Sequence, residues 1–312
     1  MAIVELNDVR RDPDTILTVG TFDGVHAGHR VLVNTVLQKA KSQNTRSAIV
    51  TFDPHPRDII SPGRGGIRLL TTLEERAEVL QELGIDDMIV IPFTRDFSLL
   101  GSDEFVRKII WEKIGVQEFV IGYDHQFGKD RQGSIQTIQD LSKELGFRVH
   151  IVSKQEVDNH TVSSTAIRNA LQNDGNVELA TTLLQRNYFL NGTVVHGEKR
   201  GSSIGFPTAN IQPSHPNKSI PKNGVYAVRV RVDGTFFGGM MNIGIRPTFY
   251  GTDLNLEVHI FKFNKDIYGE TVQVRFIKRV RDEQKFSGID QLRHQLEKDR
   301  EKCHMILEAD HG

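Results

Sequence analysis

Cysteine is almost missing from this chain of 312 residues, which has one, Cys303. A single cysteine excludes an internal disulfide and a cysteine-rich zinc site, and it is typical of a reducing compartment. Long apolar runs are missing as well: no eighteen apolar residues run together, and the opening stretch MAIVELNDVRRDPDT contains acidic residues and no long apolar core. These absences argue against a signal peptide or a membrane-spanning helix and predict a cytoplasmic protein.

An excess of charge of either sign is also missing. Lysine and arginine number 39 against 40 aspartates and glutamates, which gives a formal net charge of −1. Such a chain has no overall field to attract nucleic acid or anionic membrane, and no basic stripe interleaved with aromatics occurs. The expected partners are therefore small molecules, any anionic ligand needs a local site, and an oligomer is not indicated.

The first half of the chain alternates short apolar runs with helical patterns. The near-continuous apolar runs are typical of strands inside a parallel sheet. The runs are ILTVGTF (16–22), SAIVTF (47–52), MIVIPF (88–93), EFVIG (118–122) and RVHIV (148–152). One intervening helical pattern opens with the capping box Thr72-x-x-Glu75. This order predicts an α/β domain with right-handed crossovers.

The second half changes to segments that alternate with period two and are punctuated by Gly, Pro and Asn, which predicts antiparallel strands in a small β-barrel. The chain ends in a helical pattern with one apolar stripe that should pack against the barrel. The stripe consists of Ile289, Leu292, Leu296, Cys303 and Ile306. Since 312 residues exceed what one core usually serves, we expect two domains, 1–184 and 185–312.

The segment GTFDGVHAGHR, Gly20 to Arg30, directly follows the apolar run ILTV. Ligands of open α/β sheets bind at such strand-to-helix junctions. Gly20, Gly24 and Gly28 allow sharp turns and close approach of a phosphate to the N–H groups of a helix expected to begin near His29. His26 and His29 would then donate to phosphate oxygens. A metal site is less favoured because, apart from Asp23, the motif has no third Cys, His or acidic ligand at a familiar spacing. An ordinary turn without a ligand is the other alternative left open.

A second candidate site is the segment TVSSTAIRNAL, in which Ser163, Ser164 and Thr165 could cap a helix that carries Arg168. Hydroxyls, backbone N–H groups and a guanidinium at one helix start suit a polyphosphate. For this segment alone, an ordinary N-cap beside a solvated arginine is the simpler explanation. Together with the histidine motif, it favours a nucleotide site.

These motifs carry a resemblance. The segments GTFDGVHAGH, TFDPHPR, IGYDHQFGKDRQG and VSSTAIR, in this order, resemble the adenylyltransferase module of the prokaryotic bifunctional riboflavin kinase/FAD synthetase family. The segments GTVVHGEKRGSSIGFPTANI, NGVYAV, MNIGIRPTF, LEVHIF and RDEQKF resemble the riboflavin kinase module of the same family. The resemblance spans nearly the whole chain and implies a nucleotidyltransferase-like α/β domain followed by a small antiparallel barrel. It also implies that ATP phosphorylates riboflavin to FMN in the second half, and that FMN is adenylylated to FAD with release of pyrophosphate in the first.

The resemblance implies roles for residues of the first half. His26 and His29 would be catalytic, and His55 and Asp124 would line the flavin side, although a histidine between two prolines could equally be a rigid loop residue. The implied nucleotide-binding residues are Gly20, Phe22, Asp23, Gly28, Ser164, Thr165 and Arg168. The chain has His125 and Gln126 where the family often has an aromatic and a basic residue, and Lys129 and Arg131 could compensate for the lost charge.

In the second half, the resemblance implies that Glu257 is the general base. Strand alternation places Glu257 on one face with His259, while Leu256, Val258 and Ile260 point the other way. Thr208 and Asn210 offer the hard oxygen ligands that Mg²⁺ prefers. The implied nucleotide-binding residues are Gly197, Lys199, Gly201, Gly205 and Pro207. A carboxylate on a solvated strand face, a different nucleotidyltransferase and a non-catalytic flavin- or nucleotide-binding protein are the alternatives left open.

Overall fold

The computed structural model describes residues 1–61, 66–123, 128, 133–153, 156–157, 160–197, 204–248 and 251–310. The chain divides into two compact units, Met1–Ser163 and Ser164–Gly312. Within the described residues, no helix combines the length and the apolar character needed to cross a membrane.

The first unit is built on a six-stranded sheet whose paired strands all run parallel, as the apolar runs predicted. The strands are β1 (Ala2–Glu5), β2 (Ile16–Val19), β3 (Ser47–Asp53), β4 (Asp87–Pro92), β5 (Glu118–Gly122) and β6 (Arg148–Val152), in the order β1-β4-β3-β2-β5-β6. The edge strand β1 was not predicted: its apolar run, residues 2–4, is only three residues long, and its residues are mostly exposed. A separate ribbon pairs β7 (Glu156–Val157) with β8 (His160–Thr161).

Helices alternate with these strands. They are α1 (Ala27–Gln43), α2 (Pro56–Ile60), α3 (Leu73–Leu83), α4 (Ser102–Glu104, continued as a π-helix over Phe105–Ile114) and α5 (Ile135–Leu145). Short 3₁₀ turns lie at Leu6–Asp8 and Phe97–Leu99. The capping box is confirmed: the N–H of Glu75 donates to the hydroxyl of Thr72 (3.2 Å), and the N–H of Thr72 donates to the Glu75 carboxylate (3.0 Å).

The position of the crevice in the first unit follows from strand order. The chain runs from β2 to β3 and β4 on one side and then returns to pair β5 with the other side of β2. The order therefore reverses between β2 and β5, and open parallel sheets bind ligands outside the carboxyl ends of such strands. All four residues of β2 are buried, and burying one such aliphatic side chain contributes about 1.5–3 kcal/mol. The turn that follows β2 is therefore attached to a firmly packed strand.

The second unit begins with α6 (Ser164–Asn169, continued as a π-helix over Ala170–Asp174) and α7 (Val177–Leu184). A closed barrel follows, as predicted, in the order β10-β13-β12-β11-β14-β9. Its strands are β9 (Phe189–Val195), β10 (Ala209–Pro213), β11 (Gly224–Val232), β12 (Thr235–Thr248), β13 (Gly251–Ile260) and β14 (Thr271–Arg281). The units part at residues 163 and 164, whereas the change in sequence pattern near 185 coincides with the approach to the barrel.

The terminal helix α8 (Ile289–Ala309) packs on the barrel, but not through the whole predicted stripe. Cys303 is fully buried against Phe206 and Met240, while Ile289 is 60% exposed, so its predicted packing is wrong. The buried residues of α8 lie in its later turns, and the guanidinium of Arg281 anchors it there by donating twice to Asp299 (3.0 and 2.7 Å). The first turn lies before this anchor and buries no side chain.

Two glycines with positive φ allow a matched stability test. Gly115 (φ 84°) follows α4, and a Cβ there would lie 2.4 Å from the carbonyl oxygen of Asp12. Gly84 (φ 94°) ends α3, and a Cβ there would have no neighbour within 4 Å. We expect Gly84→Ala to cost only the left-handed penalty of about 1–2 kcal/mol, and Gly115→Ala to cost roughly 1–3 kcal/mol more because the backbone must move. Urea unfolding measures both, and equal costs would contradict the close contact.

Candidate active sites

The turn between β2 and α1 is tightly folded and buried. Phe22 (φ 46°), Gly24 (φ 87°) and Val25 (φ 39°) all have left-handed backbone conformations. Such a conformation costs a non-glycine residue about 1–3 kcal/mol and persists only where the surroundings impose it. Phe22 and Val25 are 1% and 0% exposed, so packing imposes it here. A Cβ on Gly20 would lie 3.2 Å from the Phe22 ring, a tight contact that would require the ring to shift.

The two histidines of the motif are in direct contact. α1 begins at Ala27, slightly before the predicted start, because His26 is its N-cap: the N–H of His29 donates to Nδ1 of His26 (3.3 Å). The two rings stack with centroids 3.6 Å apart and planes 13° apart. Since Nδ1 of a neutral His26 is used as an acceptor, its proton sits on Nε2, which is thereby a donor.

His29 is held in its neutral form. Burial lowers its pKa well below the ordinary value, and the nearby His26 and the Arg76 guanidinium lower it further. Its ring lies 5.0 Å from the Phe22 ring, and its buried Nδ1 has no hydrogen-bond partner among the described residues. A neutral imidazole still carries one N–H, so His29 can donate to a phosphate oxygen without being protonated.

Residues of the 71–76 segment support the turn, and sequence reasoning gave them no role at the site. The Thr71 N–H donates to the buried carboxylate of Asp23 (3.0 Å), and the N–H of Gly24 donates to the Thr71 hydroxyl (2.9 Å). Asp23 is therefore engaged in holding the turn. No sequence signal pointed to Thr71, because it precedes α3 by two residues and lies 48 positions from Asp23.

Gly28 and His55 have distinct local roles. A Cβ on Gly28 would lie 3.4 Å from the His26 ring, an ordinary van der Waals contact. His55 is 8% exposed and caps α2, accepting the N–H of Arg57 on its Nδ1 (3.1 Å). Its flavin-side role stays a prediction. The segment with Asp124, His125, Gln126, Lys129 and Arg131 lies outside the described residues.

The second predicted clamp lies on α6. Ser164 is its first residue, Thr165 follows, and Arg168 lies one turn further, as the sequence predicted. These residues belong to the second compact unit, while His26 and His29 belong to the first. That both clamps bind one nucleotide stays a prediction.

The barrel aligns polar side chains across three neighbouring strands. Glu257 on β13 pairs with Asn210 on β10 and with Asn242 on β12. Side chains of directly paired residues lie on one face of a sheet within about 5 Å of each other. Leu256, Val258 and Ile260 are buried, whereas Glu257 and His259 are partly accessible, which confirms the predicted alternation. Asn242 was not predicted; only the register reveals it.

Asn210 packs directly on the backbone of Gly197. A Cβ on Gly197 would lie 2.1 Å from Nδ2 and 2.8 Å from Oδ1 of Asn210. The glycine therefore leaves the space that the Asn210 amide fills. Gly205 has a left-handed backbone (φ 83°), Thr208 is half-buried and Pro207 is exposed. Lys199 and Gly201 lie outside the described residues.

His259 fixes the segment that carries Thr208. Its Nδ1 lies 2.7 Å from the carbonyl oxygen of Pro207, to which it donates, and its ring meets Phe206 edge-on at 5.4 Å. Burial is the main cause that lowers the pKa of His259, and Arg300 and His304 add to it against the Pro207 bond. The neutral ring thus carries its proton on Nδ1, where Pro207 needs it.

Comparison with known proteins finds two successive family matches in the chain. Residues 8–166 match the family model of FAD synthetase, and residues 184–307 match that of riboflavin kinase.

Full-length relatives are also similar. A bifunctional riboflavin kinase/FMN adenylyltransferase of Bacillus subtilis (strain 168) is 38% identical over 293 residues, covering 93% of this chain and 91% of the relative. A protein of the same description from Listeria monocytogenes is 41% identical over 291 residues, covering 92% and 91%. A crystal structure from Streptococcus pneumoniae, described as a macrolide-efflux protein, superposes with a TM-score of 0.88 at 32% identity over 97% of this chain and 99% of that one.

The lowered pKa of His29 predicts how the free energy of unfolding depends on pH. Its pKa is lower in the folded chain than the value of about 6.5 in the unfolded chain. The unfolded state therefore takes up the proton first, and the free energy of unfolding falls as pH drops below about 6.5 until the folded pKa is reached. We expect the stability difference between the parent and His29→Asn to change over this range and to be constant above it. Thermal unfolding over a pH series tests this, and an NMR titration midpoint of His29 at the ordinary value would contradict it.

Proposed function

The chain belongs to the family of bifunctional riboflavin kinases/FMN adenylyltransferases, and from this we propose that its two reactions use the two sites described above. The enzyme phosphorylates riboflavin to FMN and adenylylates FMN to FAD, with ATP as the second substrate of both reactions. The observation that supports the division is that the FAD synthetase match contains the His26–His29 turn and the riboflavin kinase match contains Asn210 and Glu257. We keep 1–184 and 185–312 as the proposed functional boundaries.

We assign adenylyl transfer to the turn after β2. An oxygen of the FMN phosphate attacks the α-phosphorus of ATP, a new P–O bond forms, and the bond to the pyrophosphate oxygen breaks. No side chain needs to act as nucleophile, so positioning and charge neutralisation carry the catalysis. Nε2–H of His26 and the neutral ring of His29 donate to the phosphate oxygens at the start of α1. Gly20, Phe22 and Asp23 hold the turn in shape.

Further residues are assigned to substrate binding. We assign Ser164, Thr165 and Arg168 on α6 to nucleotide binding, since hydroxyls and a guanidinium at a helix start bind anions. Gly28 keeps the helix start open beside the His26 ring. His55 and Asp124 are assigned to the flavin side.

We assign phosphorylation to the face of the barrel that carries Glu257. The terminal hydroxyl of the riboflavin side chain attacks the γ-phosphorus of ATP, and the bond from that phosphorus to the bridging oxygen breaks, so that ADP leaves. The Glu257 carboxylate takes the hydroxyl proton. Backbone groups around Gly197, Gly201, Gly205 and Pro207, together with Lys199, are assigned to the phosphates. His259 holds Pro207 and so fixes the segment from Phe206 to Thr208 beside the base.

The residues at this face fit a magnesium ion. The Thr208 hydroxyl and the Asn210 carbonyl oxygen are hard oxygen donors, and the amide of Asn210 rests in the space that Gly197 leaves. When bound, Mg²⁺ neutralises phosphate charge and orients the transferred group. We also propose a cytoplasmic location, because both reactions consume ATP and the single cysteine suits a reducing compartment.

The two reactions should be separable by mutation. We expect His29→Ala to lower FAD formation from FMN and ATP by roughly 10²-fold or more while FMN formation from riboflavin continues. We expect Glu257→Ala to lower FMN formation by about 10²- to 10⁴-fold while FAD still forms when FMN is supplied. Chromatography of the flavins after incubation with ATP and Mg²⁺ measures both products. Loss of both activities in either folded variant would show that the sites are not separate.

The Gly197–Asn210 contact gives a test of the magnesium assignment. In Gly197→Ala, the new Cβ must displace the Asn210 amide. We expect the half-saturating Mg²⁺ concentration for FMN formation to rise about 10- to 100-fold, with FAD formation from FMN unchanged. Gly288→Ala is the matched control, because a Cβ there has no neighbour within 4 Å. An unchanged Mg²⁺ dependence in Gly197→Ala would remove Asn210 from the metal site.

A further inference from the structure

Arg76 is a buried cation beneath the candidate adenylyl-transfer site, and no motif singles it out. It lies in the first turn of α3 and is 2% exposed. Its Nη1 donates to the hydroxyl of Thr51 (2.7 Å), while its buried Nε has no acceptor among the described residues. Among the described residues, no carboxylate lies within ion-pair distance of the Arg76 guanidinium. Burying a charge without an ion-pair partner costs free energy, which points to a role of Arg76 beyond packing.

A chain of hydrogen bonds connects Arg76 to the histidine turn. Thr51 lies near the carboxyl end of β3, and its hydroxyl donates to the carbonyl oxygen of Thr21 (3.2 Å). Thr21 is the second residue after β2 and immediately precedes the strained Phe22. Arg76 therefore holds Thr51, and Thr51 holds the backbone at the start of the turn that ends in His26.

The charge of Arg76 also reaches His29. His26 stacks on His29, and Arg76 acts on His29 through its charge. The negative charges of Asp23, Asp53 and Glu74 raise the pKa of Arg76 against the larger lowering by its burial. Arg76 helps to lower the pKa of His29, together with burial and His26. The same positive potential favours the negative charge of a triphosphate and of the transition state formed from it.

We propose that Arg76 is a positioning residue for adenylyl transfer: it fixes the histidine turn through Thr51 and Thr21, and it places a desolvated positive charge beneath the bound phosphates. This inference rests on the assignment of adenylyl transfer to His26 and His29. It adds a residue from α3, 47 positions after His29, to the machinery of that site.

Arg46 provides a control at the amino ends of the same strands, opposite the carboxyl ends where the histidine turn lies. Its Nη2 donates to the hydroxyl of Thr15 at the same distance of 2.7 Å, but Thr15 and Arg46 precede β2 and β3 rather than follow them. Replacement of either arginine by methionine removes one charge and the arginine–threonine contact from the first unit. Arg46→Met also removes hydrogen bonds to the carbonyl oxygens of Arg10 and Ile114 and ion pairs with Asp12 and Asp87, so the control variant loses more contacts than Arg76→Met does. Only Arg76→Met should affect the chemistry.

The test compares four full-length variants by the rate of FAD formation from FMN and ATP across a pH series. We expect Arg76→Met to lower kcat roughly 10- to 100-fold and to move the acid limb of the profile to higher pH, because His29 loses a neighbouring positive charge. Thr51→Val should lower kcat without moving the limb, since the charge stays. Arg76→Lys should keep the limb in place and recover part of kcat, whereas Arg46→Met should match the parent.

Each result either supports or overturns the role proposed for Arg76. FMN formation and unfolding midpoints are measured on every variant, and if Arg76→Met does not fold, Arg76→Lys and Thr51→Val decide the matter. Parental kcat in Thr51→Val, or in a folded Arg76→Met, overturns the proposal, as does an unmoved acid limb in Arg76→Met. His29→Ala is assayed alongside: if it retains FAD formation, the assignment of the site fails, whereas its loss together with parental Arg76→Met removes only Arg76.

Discussion

The junction between β2 and α1 is the constraint on which the first unit depends. The chain leaves a strand buried at every residue and must enter α1 across residues 20–26. It does so through three left-handed residues, two of which are not glycine. The surrounding hydrogen bonds from Thr71 and Thr51 hold this costly backbone in place, so the histidines are positioned before any substrate arrives. Preorganised donors of this kind are what phosphoryl and adenylyl transfer require.

Charge at this junction is controlled by burial rather than by ion pairs. His26 uses Nδ1 to cap the helix, His29 stays neutral, and Arg76 provides the nearby positive charge. A neutral imidazole donates without competing for protons with the phosphate. The guanidinium remains charged at all physiological pH values. The site therefore separates hydrogen bonding, which the histidines perform, from charge neutralisation, which arginine can supply.

In the barrel, the register of the strands positions the polar side chains of the candidate site. Pairing across β10, β13 and β12 brings Asn210, Glu257 and Asn242 onto one face. The hydrogen bond from His259 to Pro207 then fixes the loop that carries Thr208, two residues before Asn210. A shift of β13 by one residue would turn Glu257 toward the buried side and Val258 toward the polar residues. The buried hydrophobic residues of β13 thus fix the register of the strand and, with it, the position of the Glu257 carboxylate.

The amino-acid sequence predicted the parallel sheet, the barrel, the two modules, the histidine turn and the face that Glu257 shares with His259. These features depend on local periodicity and on motifs whose residues are close in the chain. Four features became evident only in the folded chain: Arg76 is buried, Asn210 fills the space at Gly197, Ala2–Glu5 forms an edge strand, and Ile289 is exposed. The periodicity of a sequence predicts which face of a helix or strand is apolar. It does not predict which residues pack against that face, because those contacts depend on strand register and on residues far apart in the sequence.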